Sequence, residues 1–227
     1  MNDLTEKLEN INARVAAACA KAHRAPGTVR ILAVSKVQEA AAIRKLHAAG
    51  QLAFGENYVQ EALEKCAQLE DLGLEWHFIG PVQSNKTQEI ARTFNWVQSI
   101  DREKIASRLS RHRPPGMPRL NVCIQVNIDR ETQKSGVSPE EVLQLAQFTS
   151  QLPGLALRGL MVIPRASNSP DQTLQSFRHA KQLFDQLQEV CPSADTLSMG
   201  MSADLELAVL AGSTMVRIGT DLFGPRA

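Results

Sequence analysis

Eight short apolar runs, each followed by a stretch with helical spacing, constrain this chain more than any other feature. The runs fall at 30–35, 52–54, 75–79, 95–98, 120–128, 156–163, 195–198 and 214–218. Strands separated by helices cannot join as tight hairpins; they pair in parallel and need cover on both faces. Eight such units in 227 residues predict an α/β fold, a closed (β/α)8 barrel of TIM type at the small end of its usual size. The alternative is an open doubly wound sheet, which carries a glycine-rich turn after its first strand when it binds dinucleotides; here Ser35-Lys36-Val37-Gln38-Glu39 stands there instead. Residues 120–128 favour the barrel. Val122, Ile124, Val126 and Ile128 share one face, and Asn121, Cys123, Gln125 and Asn127 share the other. An apolar face toward helices and a polar face inward suit a barrel whose mouth holds a polar ligand.

Helix signals fill the gaps. An extra helix opens the chain, with Leu4, Leu8, Ile11 and Val15 at helical spacing and Asp3 and Glu6 placed as a capping box. Ser138-Pro139-Glu140-Glu141 and Ser169-Pro170-Asp171-Gln172 each put a cap, a first-turn proline and a third-position acid or amide in order. Gly50, Gly73 and Gly212 sit where helices should stop. No linker, repeat or low-complexity segment interrupts the pattern, so residues 1–227 are expected to form a single domain.

The formal charge is +1, which gives no sign of a nucleic-acid or acidic-membrane partner. Cys19, Cys66, Cys123 and Cys191 are scattered and read as reduced thiols in a cytoplasmic protein. The opening Met-Asn-Asp-Leu-Thr-Glu-Lys is too polar for a signal peptide, and no apolar run reaches the length of a membrane span. The histidines have no metal-ligand spacing, so no metal is expected.

Ligand sites of such barrels lie at the carboxyl ends of the strands, with phosphate often held after strands seven and eight. Lys36 ends the first apolar run and neighbours strand eight once the barrel closes. A lysine among apolar walls loses hydration, which turns its amine into a Schiff-base nucleophile; the plain alternative is a surface lysine where a strand leaves the core. After strand seven comes Leu197-Ser198-Met199-Gly200-Met201-Ser202, with Ser202 as N-cap of a helix from about Ala203, or as a group that meets an anion there. After strand eight, Gly219 allows close backbone approach and Thr220 adds a hydroxyl and an N–H. Arg217 points inward, so it meets an anion, a ring nitrogen or a structural carboxylate. A phosphate site beside a Schiff-base lysine defines an aldehyde with a phosphate arm, of which pyridoxal phosphate is the commonest.

These residues lie in blocks that resemble a known family. Leu32-Ala33-Val34-Ser35-Lys36, Phe54-Gly55-Glu56-Asn57-Tyr58-Val59-Gln60-Glu61, the run from Glu75 to Lys86, Lys134-Ser135-Gly136, Gly159-Leu160-Met161, Ser198-Met199-Gly200-Met201-Ser202 and Gly212 to Thr220 follow in order. They resemble the pyridoxal phosphate homeostasis proteins (the YggS/PROSC family). The resemblance implies the pyridoxal-phosphate barrel of the alanine racemase N-terminal domain and an internal aldimine at Lys36. It further implies phosphate contacts from Ser198 or Ser202 with Gly219 and Thr220, Arg217 at the ring nitrogen or phosphate edge, and Asn57 and Met161 along the ring. Family members often continue after the lysine with threonine-lysine-proline; Val37-Gln38-Glu39 follows here, which removes a lysine from any accessory cofactor site.

Three functions fit these residues. One is a carrier of pyridoxal 5'-phosphate, monomeric, that takes part in its homeostasis and hands it to apo enzymes. Another is a racemase or decarboxylase using that cofactor, with Tyr58, His77 or Cys123 as the second acid–base group. The last is an aldolase-type barrel using Lys36 directly on a sugar phosphate. The racemase resemblance implies a tyrosine from an additional domain that this chain lacks, and Arg217 would weaken the ring as an electron sink. The carrier is therefore the expected reading, without catalytic residues of its own.

Overall fold

A computed structural model describes residues 4–224; the expected cap at Asp3 lies outside them. Along the chain run α1 (Leu4–Lys21), β1 (Arg30–Val34), α2 (Ala40–Ala48), β2 (Ala53–Glu56), α3 (Val59–Gln68), β3 (Glu75–Phe78), α4 (Thr87–Thr93) and β4 (Trp96–Ile100). They continue as α5 (Glu103–His112), β5 (Leu120–Val126), α6 (Val142–Ser150), β6 (Leu155–Val162), α7 (Pro170–Val190), β7 (Thr196–Met201), α8 (Leu205–Leu210), β8 (Met215–Ile218) and α9 (Thr220–Phe223). The strands pair in parallel in chain order, and β8 closes on β1 with Leu32 opposite Arg217. Every predicted strand is present; the largest shift is at β7, which continues to Met201 rather than ending at Ser198.

Both serine capping boxes form: Ser138 with Glu141 ahead of α6, and Ser169 with Gln172 at the start of α7. Gly50, Gly73 and Gly212 follow their helices with positive φ. Between strands and helices lies a continuous apolar layer that includes Ile43, Leu46, Ile90, Ile105, Leu109 and Phe177, all fully buried. Their spacing along each helix puts them on the face turned to the sheet, and burial of that face is what holds the ring of helices in place. The first helix packs on α2, α8 and α9 through Leu8, Ile11 and Val15.

The alternation in β5 is realised. Val122, Ile124 and Val126 join the apolar layer, while Cys123 turns inward against Trp96 and Met161. The polar end of that strand serves a loop rather than a ligand. Gln125 donates to the Ser135 carbonyl and Asn127 to that of Glu131.

Candidate cofactor site

A cavity of about 290 Å³ opens at the carboxyl ends of the strands. Lys36, Asn57, Met161, Ser202, Arg217, Gly219 and Thr220 all line it, seven of the eight residues predicted. They come from the ends of β1, β2, β6, β7 and β8, distant in sequence and joined only by barrel closure. Val34, Ile79, Ile163, Met201 and Ala203 complete the wall and were not singled out from the sequence. Their signal was present in part: Val34, Ile79 and Ile163 sit at or just beyond the carboxyl ends of their strands, with apolar side chains on the inward parity.

Ser198 is the exception. It is fully buried, and its hydroxyl donates to Gln98 Oε1 at 2.7 Å while accepting from Arg217 at 2.8 Å. Because β7 runs three residues further than expected, Ser198 lies mid-strand beneath the mouth, and Ser202 takes the rim. Ser202 is not the N-cap of α8. That position belongs to Asp204, whose Oδ1 accepts from the Met201 N–H at 2.6 Å. The Ser202 hydroxyl instead accepts from the Asp221 N–H at the start of α9, 3.3 Å away. Gly200 sits in the irregular stretch of β7 just before it: its φ is +95°, and a Cβ would stand 2.4 Å from the Ala208 Cβ.

Arg217 forms the cavity floor. It is 4% exposed and donates to the Ser198 carbonyl at 2.7 Å and the Val162 carbonyl at 2.9 Å. All three of its protein acceptors are neutral oxygens, and among the described residues it makes no ion pair. Burial lowers its pKa to about 10, so it remains a cation at neutral pH. Asn57 also lines the cavity, and its Oδ1 is buried without a hydrogen-bond partner among the described residues. Gly80 lets the backbone pack beneath Asn57, since a Cβ there would lie 2.2 Å from the Asn57 carbonyl oxygen. A buried cation with no ion pair among the described residues, at a cavity that Asn57 also lines, marks a polar ligand site.

Below the floor a polar chain fills the barrel. Gln98 donates to His77 Nδ1 at 2.9 Å, and His77 Nε2 meets Glu75 Oε1 at 2.7 Å. Trp96 stacks on His77 with ring centroids 5.0 Å apart. Burial holds the His77 imidazole below its ordinary 6.5, outweighing Glu75, and burial pushes the Cys123 thiol up. Neither His77 nor Cys123 reaches the cavity, and the single tyrosine, Tyr58, is outside it and 58% exposed. Lys86 and Lys134 are also absent from its wall and pair with Glu89 and Glu131.

The family model described as alanine racemase, N-terminal domain, matches residues 7–227. A pyridoxal phosphate homeostasis protein of Pseudomonas aeruginosa is 53% identical over 226 residues, covering 100% of this chain and 97% of that protein. The chain belongs to the pyridoxal phosphate homeostasis protein family. Among solved structures, this family member resembles PipY of Synechococcus elongatus PCC7942 solved with pyridoxal phosphate bound. The identity is 39% and the TM-score 0.80, covering 92% of this chain and 100% of PipY. An alanine racemase of Clostridium difficile 630 shares the fold at 15% identity and TM-score 0.75; the match covers 99% of this chain and 57% of the racemase.

Proposed function

We propose that this chain binds pyridoxal 5'-phosphate through Lys36 and acts in its homeostasis as a carrier, delivering it to apo enzymes in the cytoplasm as a monomer. The observation that carries the reading is the convergence of Lys36, Asn57, Arg217 and the Ser202–Thr220 rim on one cavity, with Arg217 cationic and Asn57 Oδ1 unmatched. When bound, the cofactor supplies an aldehyde that condenses reversibly with an amine, and a phosphate arm that carries negative charge.

Each residue has a role that follows from its place. Lys36 supplies the amine from the end of β1. Ser202, Gly219 and Thr220 hold the phosphate at the rim, with Ser202 rather than Ser198 as the serine in contact. Gly219 has φ −118° and a Cβ there would meet only Val34 atoms, 3.6 Å away, so neither conformation nor packing demands glycine at this position. Close approach of a phosphate does. Met161, 1% exposed, and Asn57 line the ring. Arg217 would hold the ring nitrogen or the phosphate edge, and at the nitrogen its positive charge would oppose ring protonation and weaken the ring as an electron sink.

The carrier reading is further supported by what lines the cavity. Racemisation needs a second acid–base group facing the lysine, and Tyr58, His77 and Cys123 all lie outside the cavity. Borohydride reduction of the protein soaked in pyridoxal phosphate, followed by peptide mass spectrometry, tests the anchor. The label is expected on Lys36, and Lys36→Ala should stay colourless with an unchanged melting temperature. A label elsewhere, or none, overturns the reading. Incubation with single amino acids in deuterated water should give no rapid exchange at Cα, and rapid exchange would make the protein an enzyme.

A further inference from the structure

Lys36 occupies the second position of a hydrogen-bonded turn, in which the Gln38 N–H donates to the Ser35 carbonyl at 3.0 Å. Val37 is the third residue and has φ +58°. Turns of this kind place glycine or asparagine there, because a β-branched L-residue at positive φ is strained. Val37 is 64% exposed, so packing of its own side chain does not repay the strain. Something else must hold it.

The holding groups come from one helix. The Val37 N–H donates to Glu61 Oε1 at 2.5 Å. Lys65, one turn further along α3, donates to that same oxygen at 2.5 Å and to the Ser35 carbonyl at 2.7 Å. Its remaining bond runs to Glu56 Oε1 at 2.9 Å, and that oxygen also accepts from the Ser35 hydroxyl at 2.6 Å. The Lys65 side chain is 7% exposed and that of Glu56 0%, and burying charge at a loop base is costly unless the geometry returns it. The residues immediately before and after Lys36 are therefore tied to one ionic hub outside the cavity, while Lys36 faces inward.

We propose that Glu61 and Lys65 are positioning residues that clamp Ser35 and Val37 and so set the direction in which the Lys36 amine enters the cavity. The proposal rests on Lys36 being the anchor for pyridoxal phosphate. It accounts for Glu56 and Glu61, two residues of the 54–61 block that the cavity does not use. Strain stored beside a reacting group in this way is a recognised means of pre-organisation.

Two readouts on the full chain test it, one of which needs no cofactor. In cofactor-free protein, amide hydrogen exchange at Val37 should be at least tenfold faster in Glu61→Ala than in wild type. In protein soaked with pyridoxal phosphate, the amine nitrogen bonds the aldehyde carbon, water leaves, and borohydride delivers hydride to the C=N bond. The rate of that trapped label on Lys36 should fall about tenfold in Glu61→Ala, the factor to which the left-handed penalty of an L-residue corresponds. Adding Val37→Gly should restore labelling to within about threefold of wild type, since glycine needs no clamp there, while the amide stays unprotected. Val37→Gly alone should label at least as fast as wild type, and it carries the test if Glu61→Ala does not fold. An unchanged Val37 amide in Glu61→Ala, unchanged labelling in that variant, or failure of Val37→Gly to rescue overturns the clamp. A wild-type protein that takes no label at Lys36 sinks the cofactor reading instead, and the clamp is then decided by amide exchange alone.

Discussion

Two regions of this barrel bury a guanidinium, and they bury it for different ends. Arg113, 9% exposed, follows α5 and donates to the carbonyls of Ala91 and Phe94 at 2.6 and 2.9 Å and of Pro118 at 2.7 Å. Ala91 lies in the last turn of α4 and Phe94 caps it, where unpaired carbonyls carry the negative pole of the helix. Its charge is answered by the fold. Arg217 also has neutral oxygens as acceptors, but the Val162 and Ser198 carbonyls belong to strands, whose net dipole is small. Beyond an attraction from Asp204, with which it forms no ion pair, its charge is left for whatever fills the cavity. Burial alone does not mark a functional cation. The field of the groups around it does.

The sharpest test exchanges each arginine for methionine, which keeps the apolar stem and removes the head. Arg113→Met should cost about 3 kcal/mol in urea unfolding, because the carbonyls lose their donor, and should leave pyridoxal phosphate affinity unchanged. Arg217→Met should also cost stability, since the Val162 and Ser198 carbonyls lose a donor, but here affinity falls as well, by about 10- to 100-fold, the range for a hydrogen bond to a charged group. If both variants lose stability equally and neither loses affinity, the contrast is broken. A smaller effect sharpens it: Ser198→Ala removes one acceptor from Arg217 and should weaken binding about threefold in a spectral titration.

The smallest effect is read as pH dependence and concerns the chain beneath Arg217. Burial depresses the folded-state pKa of His77 below 6.5. Below pH 6.5 the unfolded chain therefore binds more protons than the folded one, and stability is lost as pH falls from 6.5 through the folded value. His77→Gln should flatten that part of the melting-temperature profile between pH 7.5 and 5. A slope unchanged by the substitution would move the titration elsewhere.

Much of the site was legible because the signals are local. Lys36 ends an apolar run, Gly219 and Thr220 follow Arg217 directly, and the two serine caps are spelled out in four residues each. Ser198 and Ser202 were not separable, because the end of β7 is set by its partners. Ser198 pairs with Met215 and Met201 with Arg217 across an irregular stretch, and that pairing drops Ser198 one layer below the mouth. Asp204 displaced Ser202 as the cap for the same reason. The strand ran on, so the first free turn came later.

Alternation and spacing in the sequence determined that eight strands pair in parallel, which faces they bury, and which residues stand at their carboxyl ends. These depend on neighbours within a few positions, and side-chain parity carries them reliably. Only the tertiary structure decided the stagger between strands, and with it which inward residue lies in the mouth and which in the packed interior. It also decided that Arg217 makes no ion pair among the described residues, and that Glu61 and Lys65 reach the turn of Lys36. Those outcomes depend on closing the ring between residues far apart in the chain, and no local pattern encodes that distance.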